Sequence, residues 1–190
     1  MINSVVQISA RETPDAEIAG LVAQAQLNPA DFAPLYDRYI QPVYRYLYSR
    51  VGHTQEAEDL TAQTFLDALE ALPRYRHKGH FSAWLFAIAR SKAMDFFRKR
   101  QRETNLTESK DGAEDPNLLS NLSQSQDIQQ LLSLVKVLAH TDQELIRLRF
   151  VAELPFAEMS VLLGKKEDAV KKALYRLLGR LEKQMEVRHD

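Results

Sequence analysis

Between Arg74 and Arg102 nine basic residues stand against a single acid, Asp95: Arg74, Arg76, Lys78, Arg90, Lys92, Arg98, Lys99, Arg100 and Arg102. Six rings are set among them, Tyr75, Phe81, Trp84, Phe86, Phe96 and Phe97. Cations at this density can follow a phosphodiester backbone, and interleaved rings can stack on unpaired bases, which is what single-stranded nucleic acid requires. Helix interiors also need rings, and Phe81 and Trp84 are read first as core. The loop His77-Lys78-Gly79-His80 is polar and fits an extruded base as well as it fits a plain surface loop.

A second basic block, Gly164 to Lys183, has seven bases and three acids. A helix of about two turns, Phe156–Leu163, a glycine and a longer amphipathic helix form the pattern of a helix-turn-helix. Ala169/Val170, Ala173/Leu174, Leu177 and Leu181 are assigned to its core. Lys165, Lys166, Lys171, Lys172, Tyr175 and Arg176 are left to face phosphates and base edges. A solvated basic helix in a small bundle would give the same pattern. Between Gly52 and Leu72 the sign reverses, with Glu56, Glu58, Asp59, Asp67 and Glu70 and no Lys or Arg. Acids at the start of a helix favour its macrodipole, but Phe65 and Leu66 beside them also fit a protein-binding face.

Catalysis finds no pattern. His53, His77, His80, His140 and His189 lack metal-ligand spacing, and neither a phosphate-cradling glycine loop nor a nucleophile motif is present. With no cysteine, thiolate metal sites, disulfides and a cysteine nucleophile are excluded together. No metal and no cofactor are expected, and the chain is read as a non-enzyme.

The elements that must position these residues follow from punctuation. Thr13-Pro14-Asp15 and Asn28-Pro29-Ala30-Asp31 are helix starts. The second opens a long helix whose stripe is Phe32, Leu35/Tyr36, Tyr39, Val43, Tyr46/Leu47 and Val51. Gly52 ends it, Thr54 caps a helix to about Leu72, and Pro73 stops that one. A helix over Phe81–Arg102 follows. Residues 103–124 read as a polar, acidic linker. Beyond it come a helix near Ser125–Leu138, a capping box at Thr141–Glu144 opening a helix through Ala152, and the helix-turn-helix. The 190 residues, 45% hydrophobic and 27% charged with net charge −1, thus predict an all-α protein of two small helical domains on a flexible tether. No apolar run reaches the roughly 18–20 residues of a membrane span. Met1–Arg11 lacks the pattern of a secretory signal, so a cytoplasmic protein is expected. Alternating charge blocks predict a polyanion met at two places and another partner for the acidic surface.

In order, Ala57-Glu58-Asp59-Leu60, Thr64-Phe65-Leu66, Phe81-Ser82-Ala83-Trp84-Leu85-Phe86-Ala87-Ile88-Ala89-Arg90, Asp95-Phe96-Phe97-Arg98-Lys99-Arg100 and the terminal helix-turn-helix resemble a bacterial sigma-70 family RNA polymerase sigma factor. Within that family the chain is similar to the extracytoplasmic-function (ECF) group, small members with only the second and fourth sigma domains. The resemblance implies an N-terminal extension over 1–27, region 2 over 28–103, a linker over 104–124 threading towards the RNA exit path, and region 4 over 125–190. It implies docking on core RNA polymerase, at the β′ clamp helices through Glu56, Asp59, Gln63, Phe65 and Leu66, and at the β flap. It implies capture of the −10 element, melted, with the non-template strand held by Arg76, His77, Lys78, His80, Trp84, Arg90, Lys92, Arg98 and Arg100. Duplex promoter DNA at −35 falls to Lys165, Lys166, Lys171, Lys172, Tyr175 and Arg176, and an anti-sigma factor is a partner the group allows. Gln63 stands where an acid is usual, Ala173 where Arg is frequent and Lys172 where a small residue is, and Glu167 and Asp168 put negative charge where phosphates approach. The other class that fits is a stand-alone helix-turn-helix regulator with an effector-binding or dimerising N-terminal domain.

Overall fold

A computed structural model describes residues 15–76, 79–106 and 126–186. Among the described residues every regular element is helical. The chain divides into two compact units, one within Thr13–Pro116 and the other drawn mainly from Asn117–Asp190.

In the first unit α1 (Asp15–Leu27) leads through a 3-10 turn, Pro29–Phe32, into α2 (Ala33–Val51). Asn28 caps that turn, its side-chain oxygen accepting from the Ala30 N–H at 3.3 Å, with Pro29 at the first helical position. α2 stops where Gly52 takes the left-handed conformation at φ 67° and donates its N–H to the Tyr48 carbonyl. α3 (Thr54–Ala71), a 3-10 turn over Leu72–Arg74 and α4 (Phe81–Leu106) complete the unit. α2, α3 and α4 pack on one another, and α1 packs on both 3-10 turns and α2.

The core is the α2 stripe, Leu35, Val43, Tyr46, Leu47 and Val51, closed by Leu72, Phe81, Leu85 and Phe86. Burying each such side chain is worth about 1.5–3 kcal/mol. Tyr36, placed on the stripe by spacing, is exposed. α3 buries two threonines without leaving a hydroxyl unsatisfied. Thr61 donates to the Ala57 carbonyl at 2.6 Å and Thr64 to that of Leu60 at 2.7 Å. His53 rather than Thr54 is the N-cap of α3, with no side-chain cap bond. α4 runs four residues beyond the expected Arg102, into the stretch read as linker. The rest of that linker, 107–124, lies outside the described residues.

The second unit consists of α5 (Gln126–Lys136), α6 (His140–Ile146) continued by a π-helical segment Arg147–Val151, α7 (Phe156–Leu163) and α8 (Glu167–Glu186). α8 packs against α5, α6 and α7. Its core is Leu134, Leu145, Leu148, Leu154, Met159, Val170, Leu174, Leu177 and Leu181. The expected capping box is absent. The N-cap of α6 is Ala139, Glu144 is buried, and Gln143 turns back so that its amide donates to the Lys136 and Leu138 carbonyls, both at 3.1 Å. This closes the end of α5, where helical carbonyls have no partner of their own. The π-helical segment ends with the Ala152 N–H on the Arg147 carbonyl, and Glu153 adopts φ 57°. That left-handed residue turns Leu154 back into the core. Ala169, assigned to the core by spacing, is exposed.

Candidate nucleic-acid interface

The basic–aromatic block is carried by the turn after α3 and by α4. Phe81 is buried at the start of α4 and touches Tyr39, Tyr75 and Trp84, with ring centroids 5.4, 5.7 and 5.4 Å away. Trp84 is half-buried. Tyr75 lies against it at 4.5 Å with a tilt of 34°, and the Trp84 backbone N–H donates to the His80 carbonyl in the first turn of the helix. Phe81 is therefore the structural ring, and Trp84 combines a supported position with a partly open surface. The connecting chain carries exposed Arg74 and Arg76, then Gly79 in the left-handed conformation at φ 79° and half-buried His80. His77 and Lys78 lie outside the described residues.

Along α4 the bases differ in availability. Arg90 is half-buried. Lys92 is held by Asp67 of α3 at 2.5 Å with its side chain 23% exposed, so it ties two helices together before it can meet a phosphate. Arg98 pairs with Asp95 one turn back, and Arg100 is exposed. Lys99 and Arg102 were not among the expected contacts, yet they line one shallow groove with Asp95 and Arg98. Positions 95, 98, 99 and 102 share a helix face by the i, i+3, i+4 rule, a signal already present in the sequence. From Trp84 to Arg98 is fourteen residues of helix, about 21 Å of track.

The acidic face lies on α3. Asp59 and Gln63 are exposed, and the Gln55 amide donates to the Asp59 carboxylate at 3.3 Å. Leu66 is 59% exposed, a large apolar side chain in a polar stripe. Glu56 is half-buried. Phe65 corrects the expectation: it is 5% exposed and packed edge-on against Phe32 and Tyr36, at 6.3 and 4.8 Å. Its helical phase follows Ala57, Leu60, Thr61 and Thr64 inward, so it supports this face from behind and does not lie on it.

In the second unit Gly164, at φ 62°, makes the turn. Its N–H reaches the Val161 carbonyl at 3.2 Å and the Lys165 N–H reaches that of Ser160 at 3.0 Å, the two bonds of a Schellman ending. Lys165, Lys166, Lys172, Tyr175 and Arg176 are exposed, as spacing required. Lys171 differs. Its ammonium lies 2.6 Å from the Glu167 carboxylate and 5.6 Å from the Phe156 ring centre, and the hydrogen bond to Glu167 is the main cause that raises its pKa above the ordinary lysine value. The Arg149 guanidinium lies 4.8 Å from the same ring, and Arg149 also donates to the Leu154 carbonyl. Phe156 thus has cations from two elements around it.

The sigma-70 region 2 family model matches residues 35–103, the span of α2 to α4. The ECF RNA polymerase sigma factor BldN of Streptomyces coelicolor is 38% identical over 181 residues, covering 90% of this chain and 67% of that protein. The chain belongs to the ECF sigma factors. A second ECF sigma factor, SigM of Bacillus subtilis, is 28% identical over 78% of this chain and 91% of its own. The same fold is found in the sigma factor RpoE of Bartonella quintana, solved with the anti-sigma factor NepR. It superposes at a TM-score of 0.65 with 21% identity, over 83% of this chain and 98% of that one. As a sigma factor the protein acts in transcription initiation. The regulator reading falls, because the segment it gave to an effector or dimerisation domain is region 2. In this sigma factor no helix of the described residues is long and apolar enough to cross a membrane.

Proposed function

We propose that residues 28–103 act as region 2, docking on the β′ clamp helices through the α3 face and holding melted −10 DNA on the turn after α3 and on α4. Residues 125–190 act as region 4, reading −35 duplex DNA through α8 and meeting the β flap, with 1–27 an extension and 104–124 a linker. Asp59, Gln63 and exposed Leu66 form the polymerase contact, flanked by Glu56. Trp84 stacks on an unpaired base while Arg76, Arg98, Lys99, Arg100 and Arg102 follow the phosphates. The −35 contact falls to Lys165, Lys166, Lys172, Tyr175 and Arg176, with Lys171 restrained by Glu167. The protein works in the cytoplasm, where polymerase and chromosome are, and its catalytic partner is core polymerase. An anti-sigma factor is a fitting regulator, competing for the apolar and acidic surface of α3.

The observation that supports this reading best is the supported, half-open Trp84 at one end of a basic helix. Trp84→Ala in the holoenzyme should leave core binding intact and remove strand separation at a promoter, read as loss of permanganate-reactive thymines. Unchanged thymine reactivity would take Trp84 out of strand capture.

A further inference from the structure

The turn that presents Tyr75 to Trp84 is fastened from outside the segment matched as region 2. Gln26, in the last turn of α1, places its side-chain amide nitrogen 2.9 Å from the Leu72 carbonyl and 2.6 Å from the Tyr75 carbonyl. An amide NH2 has two hydrogens, and one goes to each carbonyl. The Tyr75 N–H also donates to the Leu72 carbonyl at 3.0 Å, so the Tyr75 backbone is held on both sides of its α-carbon. From that backbone its ring lies 4.5 Å from Trp84 and 5.7 Å, edge-on, from Phe81. α1 is fixed in turn by Ile18, Val22 and Ala25, buried at i, i+4 and i+7, and by Glu17 paired with Arg38 of α2 at 3.2 Å.

We propose that Gln26 is a positioning residue for strand capture: its two hydrogen bonds lock Tyr75 as the backing for Trp84, so that the indole is preset for an unpaired base. This rests on the reading of Trp84 given above. Preorganisation of this kind contributes by removing the cost of ordering the site on binding.

Trp84 is the only tryptophan in the chain, so its fluorescence reports the site directly. Two variants separate the hydrogen bonds from packing. Gln26→Glu keeps size but offers no donor to the carbonyls, whereas Gln26→Lys keeps donors. Each is assembled with core polymerase and titrated with a single-stranded DNA oligonucleotide enriched from a random library by the wild-type holoenzyme. Gln26→Glu should bind core as wild type does, lose about tenfold in oligonucleotide affinity, as two hydrogen bonds of ordinary worth allow, and show increased acrylamide quenching of Trp84 in the free chain. Gln26→Lys should recover most of both. Unchanged affinity and quenching in Gln26→Glu, or equal losses in the two variants, would overturn the role of Gln26 alone. A wild-type holoenzyme that enriches no strand would overturn the strand-capture reading and the proposal with it.

Discussion

The ion pair between Glu167 and Lys171 has a measurable consequence for DNA binding. The carboxylate and ammonium are 2.6 Å apart on one exposed face of α8, with side chains 42% and 40% exposed. A phosphate reaching Lys171 must displace Glu167, so the lysine adds little to the counterions released on binding. Glu167→Gln removes the competing charge and keeps the shape. One further phosphate contact should then steepen the dependence of log K on log salt by about 0.9. Between 200 and 50 mM salt that makes the variant's gain over wild type grow about three- to fourfold. Fluorescence anisotropy of a duplex titrated with the purified chain across a salt series reads both quantities. Glu167→Gln/Lys171→Ala should return to the wild-type slope. Asp168→Asn should change it less, because Asp168 acts on Lys171 only through space and after Glu167. Equal slopes for wild type and Glu167→Gln, or the same steepening in Asp168→Asn, would refute the argument.

Phe65→Ala should destabilise the first unit by about 3–5 kcal/mol, as loss of a buried ring does. Leu66→Ala should shift stability by no more than about 0.5 kcal/mol and weaken core polymerase binding; urea unfolding and a pull-down on core polymerase separate the two. An added Cβ at Gly164 would meet no atom within 4 Å, so Gly164→Ala should cost only the left-handed backbone, about 1–2 kcal/mol. Denaturant unfolding of the full chain, followed by the C-terminal transition, checks that figure, and a much larger loss would mean crowding at the turn.

What was legible in the sequence is what depends on local pattern. Helix starts at Asn28-Pro29 and the stop at Gly52 rest on short-range backbone chemistry, and the α2 stripe and the exposed bases of α8 rest on the 3.6-residue period. What was not legible depends on partners far along the chain. Phe65 and Leu66 are adjacent apolar residues on one helix, and the burial of Thr61 and Thr64 beside Ala57 and Leu60, each hydroxyl satisfied by the carbonyl four residues back, shows which of them turns inward. Lys92 looked like any base of its block until Asp67 of α3 was brought to it. Gln26 and Gln143 are polar residues of no special spacing, yet each clamps two backbone carbonyls, one beneath the Tyr75–Trp84 stack and one at the end of α5. The local capping-box pattern at Thr141–Glu144 gave way because burial of Gln143 and Glu144 placed those side chains elsewhere.

The central claim is that this chain is a promoter-specificity subunit docked through the acidic face of α3. Its most direct test is co-elution of the purified chain with bacterial core RNA polymerase on size exclusion, with Asp59→Arg run beside it. Asp59 is exposed, so the variant should keep its helical circular dichroism. The wild type should elute with core polymerase and Asp59→Arg should elute alone. A folded wild-type chain that elutes alone would contradict it.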